Sequence, residues 1–138
     1  MVVTDKISLG THGRTEIIDI TVEVASKLAR SKMTSGTVTL FLAGSTAGLT
    51  TIEYEPGLVI DFQALWKRLA PDDIPYAHNE RWGDGNGYAH IRASLLGPSL
   101  TIPFAEGRLM LGTWQQIVLV DFDNRARQRQ IMLQFIGE

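Results

Sequence analysis

The C-terminal third of the chain reads as a succession of strands, and this limits the fold more than any other feature. The segments rich in β-branched and large apolar residues are Ser99–Phe104, Arg108–Leu111, Trp114–Phe122 and Gln128–Ile136. Asp123-Asn124 lies between the last two and predicts a hairpin turn. Consecutive strands of this kind indicate a mostly antiparallel sheet and not a doubly wound fold.

Helical periodicity appears only in the first two thirds of the chain. Apolar residues recur at helical spacing in Asp19–Lys32, Leu58–Leu69 and Tyr88–Leu96. Further strands are predicted at Val2–Leu9, Gly36–Leu42 and Leu49–Tyr54. Pro71–Gly87 has no apolar period and predicts a long polar loop, which in a compact domain is often functional. Helices and strands together give the class α+β.

Length and composition exclude several classes of protein. The chain has 138 residues, which predicts one domain over 1–138, and a net charge of -2 argues against a dedicated nucleic-acid-binding domain. It contains 0 Cys, which excludes disulfides, thiolate nucleophiles and Cys-ligated metals. No apolar run reaches the ~20 residues that span a bilayer, and no signal peptide is visible, so we expect a cytoplasmic protein without a membrane partner.

The loop and the helix that follows it hold the strongest chemical cluster. His78 and His90 are two of the 3 His of the chain, and Glu80, Asp84 and Asn86 lie between them. If the loop folds back, the two imidazoles can meet and contribute to a divalent metal site, which needs three or four ligands at about 2 Å. The alternative is a polar surface loop with solvated histidines.

Two other segments are candidate anion sites. Ala43–Gly48 is built of small residues, and the hydroxyls of Ser45 and Thr46 can donate to phosphate oxygens, although the segment has neither the Lys of a P-loop nor the pattern of a nucleophile elbow. It is otherwise a tight turn between strands. Arg125, Arg127 and Arg129 alternate along a strand, which predicts a row of guanidinium groups on one face, either an anion site or a solvated edge.

The sequence leaves the roles of two further residues open. Glu53 follows an apolar strand and either points to solvent or enters a site as a base or ligand. Trp114 begins a strand and is expected in the core or at a subunit interface.

Together these residues resemble the YjbQ-like family, whose members are described as secondary thiamine-phosphate synthases. The matching residues, in order and at family-like spacing, are Ser45-Thr46-Ala47-Gly48-Leu49-Thr50, Glu53, Tyr76-x-His78, Asn86-Gly87-x-x-His90, Leu95-x-Gly97-x-Ser99, Leu111-Gly112-Thr113-Trp114-Gln115, Arg127-Gln128-Arg129 and Gly137. The resemblance covers nearly the whole chain. Three positions depart from the family pattern: Gly44 stands where the family has His, Ile52 where it has Asn, and Asn79 where it has Asp.

The resemblance implies a two-layer, mostly antiparallel β-sandwich with two to three helices that assembles as a homotrimer. It also implies a pocket that binds a small anionic metabolite, with Glu53, His78 and His90 as catalytic residues. The residues expected to bind the substrate or its anionic group are Ser45, Thr46, Asn86, Arg127 and Arg129. His78 and His90 are the expected ligands of a divalent cation, zinc or magnesium.

Three functions follow from these residues. The first is a thiamine-phosphate synthase-like transferase, which joins a pyrimidine methyl diphosphate to a thiazole phosphate and releases diphosphate. The second is a metal-assisted hydrolase of a phosphorylated or acyl substrate. The third is a non-catalytic trimer that binds an anionic metabolite, which the replacement of the family His by Gly44 favours.

Overall fold

A computed structural model describes residues 1–138 and contains eight strands and four helices. The strands are β1 (Val2–Thr11), β2 (Glu16–Asp19), β3 (Gly36–Leu42), β4 (Ala47–Ile52), β5 (Ser99–Ala105), β6 (Arg108–Leu109), β7 (Gln116–Asp121) and β8 (Arg127–Gly137). The helices are α1 (Thr21–Ser31), α2 (Pro56–Leu69), α3 (Ala77–Trp82) and α4 (Gly87–Leu96). The α+β class is confirmed, and the helix count exceeds the expected two to three because the polar loop contains α3.

The strands form two antiparallel sheets. One has the order β1-β8-β3-β5-β6 and the other the order β2-β7-β4. The turn at Asp123-Asn124 is real, but the predicted hairpin is wrong, because β7 and β8 do not pair with each other. β7 pairs with β2 and β4, whereas β8 pairs with β1 and β3, so the turn carries the chain from one sheet to the other.

β7 lies at the centre of the molecule and is buried on both faces. Ile117 and Leu119 pack into the main core, which contains residues from both sheets and from α1. Val118 and Val120 point the other way and join a second core with Trp66 of α2. The small sheet therefore lies between the main core on one face and α2 and α4 on the other, which explains why the sequence of β7 is apolar without alternation.

Local residues account for the helix starts. Glu55 precedes α2 in an extended conformation, and its carboxylate accepts hydrogen bonds from the backbone N–H groups of Gly57 and Leu58, while Pro56 occupies the first turn. Before α1, the Asp19 carboxylate accepts from the Thr21 backbone N–H at 2.9 Å. Because of these interactions α1 begins at Thr21 and α2 at Pro56, each two residues from the predicted start.

The structure differs from the prediction in two segments, and it excludes one of the two alternatives for Trp114. β2 was not predicted, because a strand of 4 residues leaves too short a pattern to recognise. The middle of the predicted polar loop forms α3, which ends at Gly83 in the left-handed conformation at φ 74°. Trp114 is 72% exposed and is not in the core of this chain. None of the helices is both long enough and apolar enough to cross a bilayer.

Candidate functional site

Two buried carboxylates at the end of β7 organise the candidate site. Asp121 and Asp123 are completely inaccessible to solvent. The Asp123 carboxylate accepts hydrogen bonds from the Thr46 hydroxyl at 2.8 Å, the Asn86 side-chain amide at 3.2 Å and the Arg127 Nε at 2.8 Å. Buried carboxylates are tolerated only with such partners. The Asp123 side chain therefore joins the Ala43–Gly48 segment, the start of α4 and β8.

The hydrogen bonds lower the pKa of Asp123 although burial acts in the other direction. Burial alone raises the pKa of a carboxyl, because it removes water from the charged form. The hydrogen bonds from Thr46, the Asn124 backbone, Asn86 and Arg127 outweigh that effect, so the pKa of Asp123 lies below its ordinary value. The side chain is ionised at neutral pH and neutralises one of the nearby guanidinium groups.

Arg129 forms a two-pronged pair with Asp121. Its Nε donates to Asp121 Oδ2 at 2.7 Å and its Nη2 to Asp121 Oδ1 at 2.9 Å, and Nη2 also donates to the Thr46 hydroxyl at 2.8 Å. The Thr11 hydroxyl completes the set by donating to Asp121 at 2.6 Å. This geometry holds the guanidinium plane rigidly, with Nη1 free of protein hydrogen bonds.

The predicted row of three arginines is wrong in one respect. Arg127 and Arg129 do share a face of β8, but Arg125 lies before the strand and is exposed. The shared face is not a solvated edge, because Arg129 is only 6% exposed. The signal that could have found this arrangement is the pair Asp121 and Asp123, which supplies one carboxylate for each of these two guanidinium groups.

α3 and α4 bring the two histidines together. Gly87, the first residue of α4, approaches Tyr76 so closely that a Cβ there would lie 2.7 Å from the Tyr76 Cβ. The Gly87 backbone N–H also donates to the Asn79 side chain at 2.8 Å. These contacts hold the short helix against the longer one, and the ring centroids of His78 and His90 lie 4.3 Å apart with an interplanar angle of 41°. The structure therefore brings together the pair that the sequence separates by twelve positions.

The environment favours a neutral His90. Burial lowers the pKa of His90, and the positive charge that His78 can carry lowers it further. Asp123 and Asp84 act in the opposite direction with smaller effects. His78 Nδ1 is buried without a hydrogen-bond partner and lies 3.8 Å from Asp84 Oδ1, which is too long for a hydrogen bond.

A metal site is not complete within one chain. Nowhere do three or more His, Cys, Asp or Glu side chains come close enough together to hold a metal ion. A divalent metal needs three or four ligands, and His78 and His90 supply at most two. The residues present therefore do not form a zinc or magnesium site by themselves.

A cleft of about 200 Å³ opens beside this network. It lies between the Ala43–Gly48 segment and α4, and it is lined by Gly44, Ser45, Ala47, His90, Ala93, Ser94 and Pro98. A Cβ on Gly44 would lie 3.0 Å from Arg129 Nη1, so the glycine leaves that corner of the guanidinium group uncovered. Ser94, one turn after His90 on the same face of α4, is a lining residue that the sequence did not single out.

The expected site residues do not all lie at this cleft. Ser45 and His90 line it, and Thr46, Asn86, Arg127 and Arg129 belong to the adjoining hydrogen-bond network. Glu53 lies just beyond the far end of β4 with an exposed side chain. At about 3.3 Å per residue, the strand places Glu53 roughly 20 Å along the chain from Ala47, which lines the cleft. Glu53 and the histidines therefore do not form one cluster within a single chain.

The comparisons with known proteins agree over almost the whole chain. The family model described as UPF0047 protein YjbQ-like matches residues 5–138. A UPF0047 protein of Methanothermobacter thermautotrophicus is 36% identical over 137 residues, covering 99% of this chain and 94% of that protein. The chain belongs to the UPF0047/YjbQ-like family. The UPF0047 protein YugU of Bacillus subtilis, 34% identical over 133 residues, covers 95% of this chain and 97% of its own length.

Solved structures of the UPF0047/YjbQ-like family share the fold. The crystal structure of a YbjQ-like protein of unknown function from Sulfolobus solfataricus P2 superposes with a TM-score of 0.94 at 34% identity, covering 100% of this chain and 99% of that chain. A family member from Clostridium acetobutylicum superposes with a TM-score of 0.87 at 34% identity, covering 96% of this chain and 99% of that chain. The resemblance read from the sequence is thus confirmed for family and fold.

Proposed function

We propose that the cleft beside His90 binds the phosphate or diphosphate group of a small metabolite. The observation that carries this proposal is the position of Arg129 Nη1, which makes no hydrogen bond to the protein and lies where the missing side chain of Gly44 leaves room. Ser45 adds a hydroxyl group at the same cleft, whereas the Ser94 hydroxyl already donates to the His90 carbonyl at 2.8 Å. Arginine donors held rigidly by other contacts are suited to phosphate, because little side-chain entropy is lost on binding.

The charges of the network support an anion as the ligand. Asp121 and Asp123 balance Arg127 and Arg129, so the network is neutral without a ligand. A bound phosphate adds negative charge, which the spare N–H groups of the two guanidinium groups and the ring N–H of His90 can meet. A cationic ligand would face these donors with no free carboxylate, because both carboxylates already accept several hydrogen bonds.

The proposed reaction is a thiamine-phosphate synthase-like transfer. The thiazole nitrogen contributes an electron pair to the pyrimidine methylene carbon, and the bond from that carbon to the diphosphate oxygen breaks. The electron pair of the broken bond leaves with the diphosphate. Arg127, Arg129 and the ring N–H of His90 hydrogen-bond to the leaving oxygens, and such stabilisation of developing charge is the main contribution a protein can make here.

Binding is tested first with diphosphate and isothermal titration calorimetry. The Arg127→Gln variant is expected to weaken binding by about tenfold, because it removes a charged donor from the cleft side of β8. The matched control is Arg125→Gln, an exposed arginine two residues earlier that the structure leaves outside the site. Equal affinity of the two variants would contradict the proposal.

Turnover is tested separately with the pyrimidine methyl diphosphate and the thiazole phosphate. His90→Ala is expected to abolish synthesis and to weaken diphosphate binding by less than about tenfold, because one donor is lost while Arg127 and Arg129 remain. The unfolding midpoint is expected to stay close to that of the wild type. Synthesis at the wild-type rate would show that His90 has no role in the reaction. If the wild-type protein binds diphosphate tightly but shows no synthesis, the second candidate, a non-catalytic binding protein, is favoured instead. The replacement of the family histidine by Gly44 supports this candidate.

A metal-assisted hydrolase requires a ligand beyond His78 and His90. In a homotrimer that ligand would come from another copy of the chain. We therefore include a homotrimer in the proposal. Its support is that Met110 and Trp114, in the segment between β6 and β7, are large apolar side chains that are 62% and 72% exposed. Light scattering after gel filtration tests the trimer, and elemental mass spectrometry of His78→Ala/His90→Ala against wild type tests the metal.

A further inference from the structure

A second cationic site lies on the other face of α4, away from the cleft beside His90. Arg92 is only 2% exposed, yet no carboxylate lies within ion-pair distance of its guanidinium group. Its Nε donates to the Ala70 carbonyl and its Nη1 to the Thr15 hydroxyl, both at 3.0 Å. Both acceptors are neutral, whereas buried arginines are usually paired with an anion.

Aromatic rings cover the rest of the Arg92 side chain. Its Cζ lies 4.8 Å from the centroid of Tyr88 and 5.9 Å from that of Phe122. These cation–π contacts offset part of the cost of burial but supply no negative charge. Burial lowers the pKa of the Arg92 guanidinium, which indicates that its charge is incompletely compensated. Nη2 makes no hydrogen bond to the protein and is the group left for a ligand.

Arg92 forms the floor of a cleft of about 190 Å³. The lining residues are Arg14, Thr15, Lys67, Asp72, Tyr88 and Arg92. Three of them are cationic and one is anionic, and none of these four charged residues forms a salt bridge. The excess positive charge is concentrated over a volume that holds about six water molecules at roughly 30 Å³ each, which is sufficient for a phosphate group.

A strained backbone segment completes the cleft. Arg14 and Thr15 have φ angles of 58° and 64°, a left-handed conformation that is uncommon for any residue but Gly and an outlier for a β-branched one. The Arg14 N–H donates to the Asp123 carbonyl at 2.7 Å and the Thr15 N–H to the Asp121 carbonyl at 2.8 Å, which holds the strained turn in place. This conformation places the Thr15 hydroxyl where it accepts a hydrogen bond from Arg92. It also places Arg14 at the rim of the cleft. Such strain persists where the surrounding structure imposes it, and it concentrates at binding sites.

We propose that this cleft is a second oxyanion site, which takes inorganic phosphate or the phosphate group of a small metabolite against Arg92, Arg14 and Lys67. It is independent of the site beside His90, since the two clefts share no lining residue. The helix geometry separates them: Tyr88 and Arg92 are four residues apart on one face of α4, while His90 and Ser94 are four apart on another.

The test follows the Arg92 side chain directly while inorganic phosphate is titrated into the wild-type protein. The Arg92 Nε–H is bonded to the buried Ala70 carbonyl, so its ¹H–¹⁵N resonance is protected from exchange and reports from inside this cleft. It is expected to shift and saturate at phosphate concentrations near a millimolar, the affinity typical of a small anion held by a few charged contacts. Sodium chloride at the same ionic strength is the control for screening.

Substitutions at the rim of the cleft should change the phosphate affinity in known directions while leaving the buried Arg92 side chain in place. Lys67→Gln is expected to weaken phosphate binding at Arg92 by about threefold to tenfold, whereas Arg68→Gln, the exposed neighbour outside the cleft, leaves it unchanged. Asp72→Asn is expected to tighten it, because the only negative charge in the cleft is removed. Arg127→Gln separates the two sites, since it affects binding beside His90 and not the Arg92 signal.

Two results would overturn the proposal. One is an Arg92 resonance that stays unchanged at about 10 mM phosphate, roughly ten times the expected Kd. The other is a shift that Lys67→Gln and Arg68→Gln alter equally, because a general ionic effect does not distinguish these neighbours. A signal that responds only when Arg127 is intact would also refute it, since that signal would come from the site beside His90.

Discussion

Replacement of Arg129 by Leu tests whether the carboxylate network is essential to the fold. The substitution removes two hydrogen bonds to Asp121, of 2.7 and 2.9 Å, and one of 2.8 Å to Thr46. Asp121 then remains fully buried, with the Thr11 hydroxyl and one backbone N–H as its donors. Breaking a buried ion pair by removing one partner costs about 3–5 kcal/mol.

That loss is large for a domain of this size. A natural domain has about 5–15 kcal/mol of unfolding free energy, so the variant loses at least about a fifth of it. At about 4 °C per kcal/mol, the midpoint of thermal unfolding falls by roughly 12–20 °C. Urea titration followed by circular dichroism measures the free energy, and differential scanning calorimetry measures the midpoint.

Two variants make the result interpretable. Arg129→Lys keeps the charge but cannot form the two-pronged pair, so its loss should be smaller than that of Arg129→Leu. Arg125→Leu removes an exposed arginine and should change the unfolding free energy by no more than about 0.5 kcal/mol. A loss below about 1 kcal/mol for Arg129→Leu, the value typical of an exposed ion pair, would refute the reasoning from burial.

Three further predictions concern single residues of the site. The pKa of Asp123 is lower in the folded protein than in the unfolded chain. Its contribution to stability is therefore present above about pH 4 and is lost as the pH falls through the pKa of the folded protein. Urea titrations between pH 7 and pH 2 should show this loss in the wild type and not in Asp123→Asn. Gly44→Ala should lower the unfolding free energy by about 1–2 kcal/mol, more than Gly107→Ala, because both glycines have positive φ but only Gly44 faces a nearby side chain. His78→Ala should raise the pKa of His90, since it removes a neighbouring positive charge and relieves burial. An NMR titration of the His90 ring that shows no change would contradict the close contact of the two rings.

The elements with a strong local pattern were predicted closely. β3 has the predicted bounds Gly36–Leu42, and α2 differs from the prediction by two residues because Pro56 is part of its first turn. β2 was missed because its stability comes from pairing with β7, about a hundred residues later, which no local pattern records. Turn chemistry likewise identified the reversal after Asp123 but not the sheet that the next strand would join.

The sequence singled out most residues of the candidate site, but the structure groups them differently. His78 and His90 were paired correctly, since both flank a loop that folds back on α4. Glu53 was grouped with them through the family resemblance, yet β4 runs away from the cleft and carries it to the far end. Asp121 and Asp123 were given no role in the prediction, because sequence alone does not show that a carboxylate will be buried.

The connection between the two sheets explains why fold and site depend on the same residues. The chain leaves the small sheet after Asp121 and enters the large sheet at Arg127, and side chains on both sides of that turn pair with each other. The ion pairs therefore hold the sheets together at the point where the cleft opens. Since the same pairs leave Arg129 Nη1 without a protein hydrogen bond and hold it in place, a phosphate group bound there as we propose would meet a donor that is already positioned. Substitutions that loosen the junction should accordingly weaken anion binding even where they do not touch the cleft.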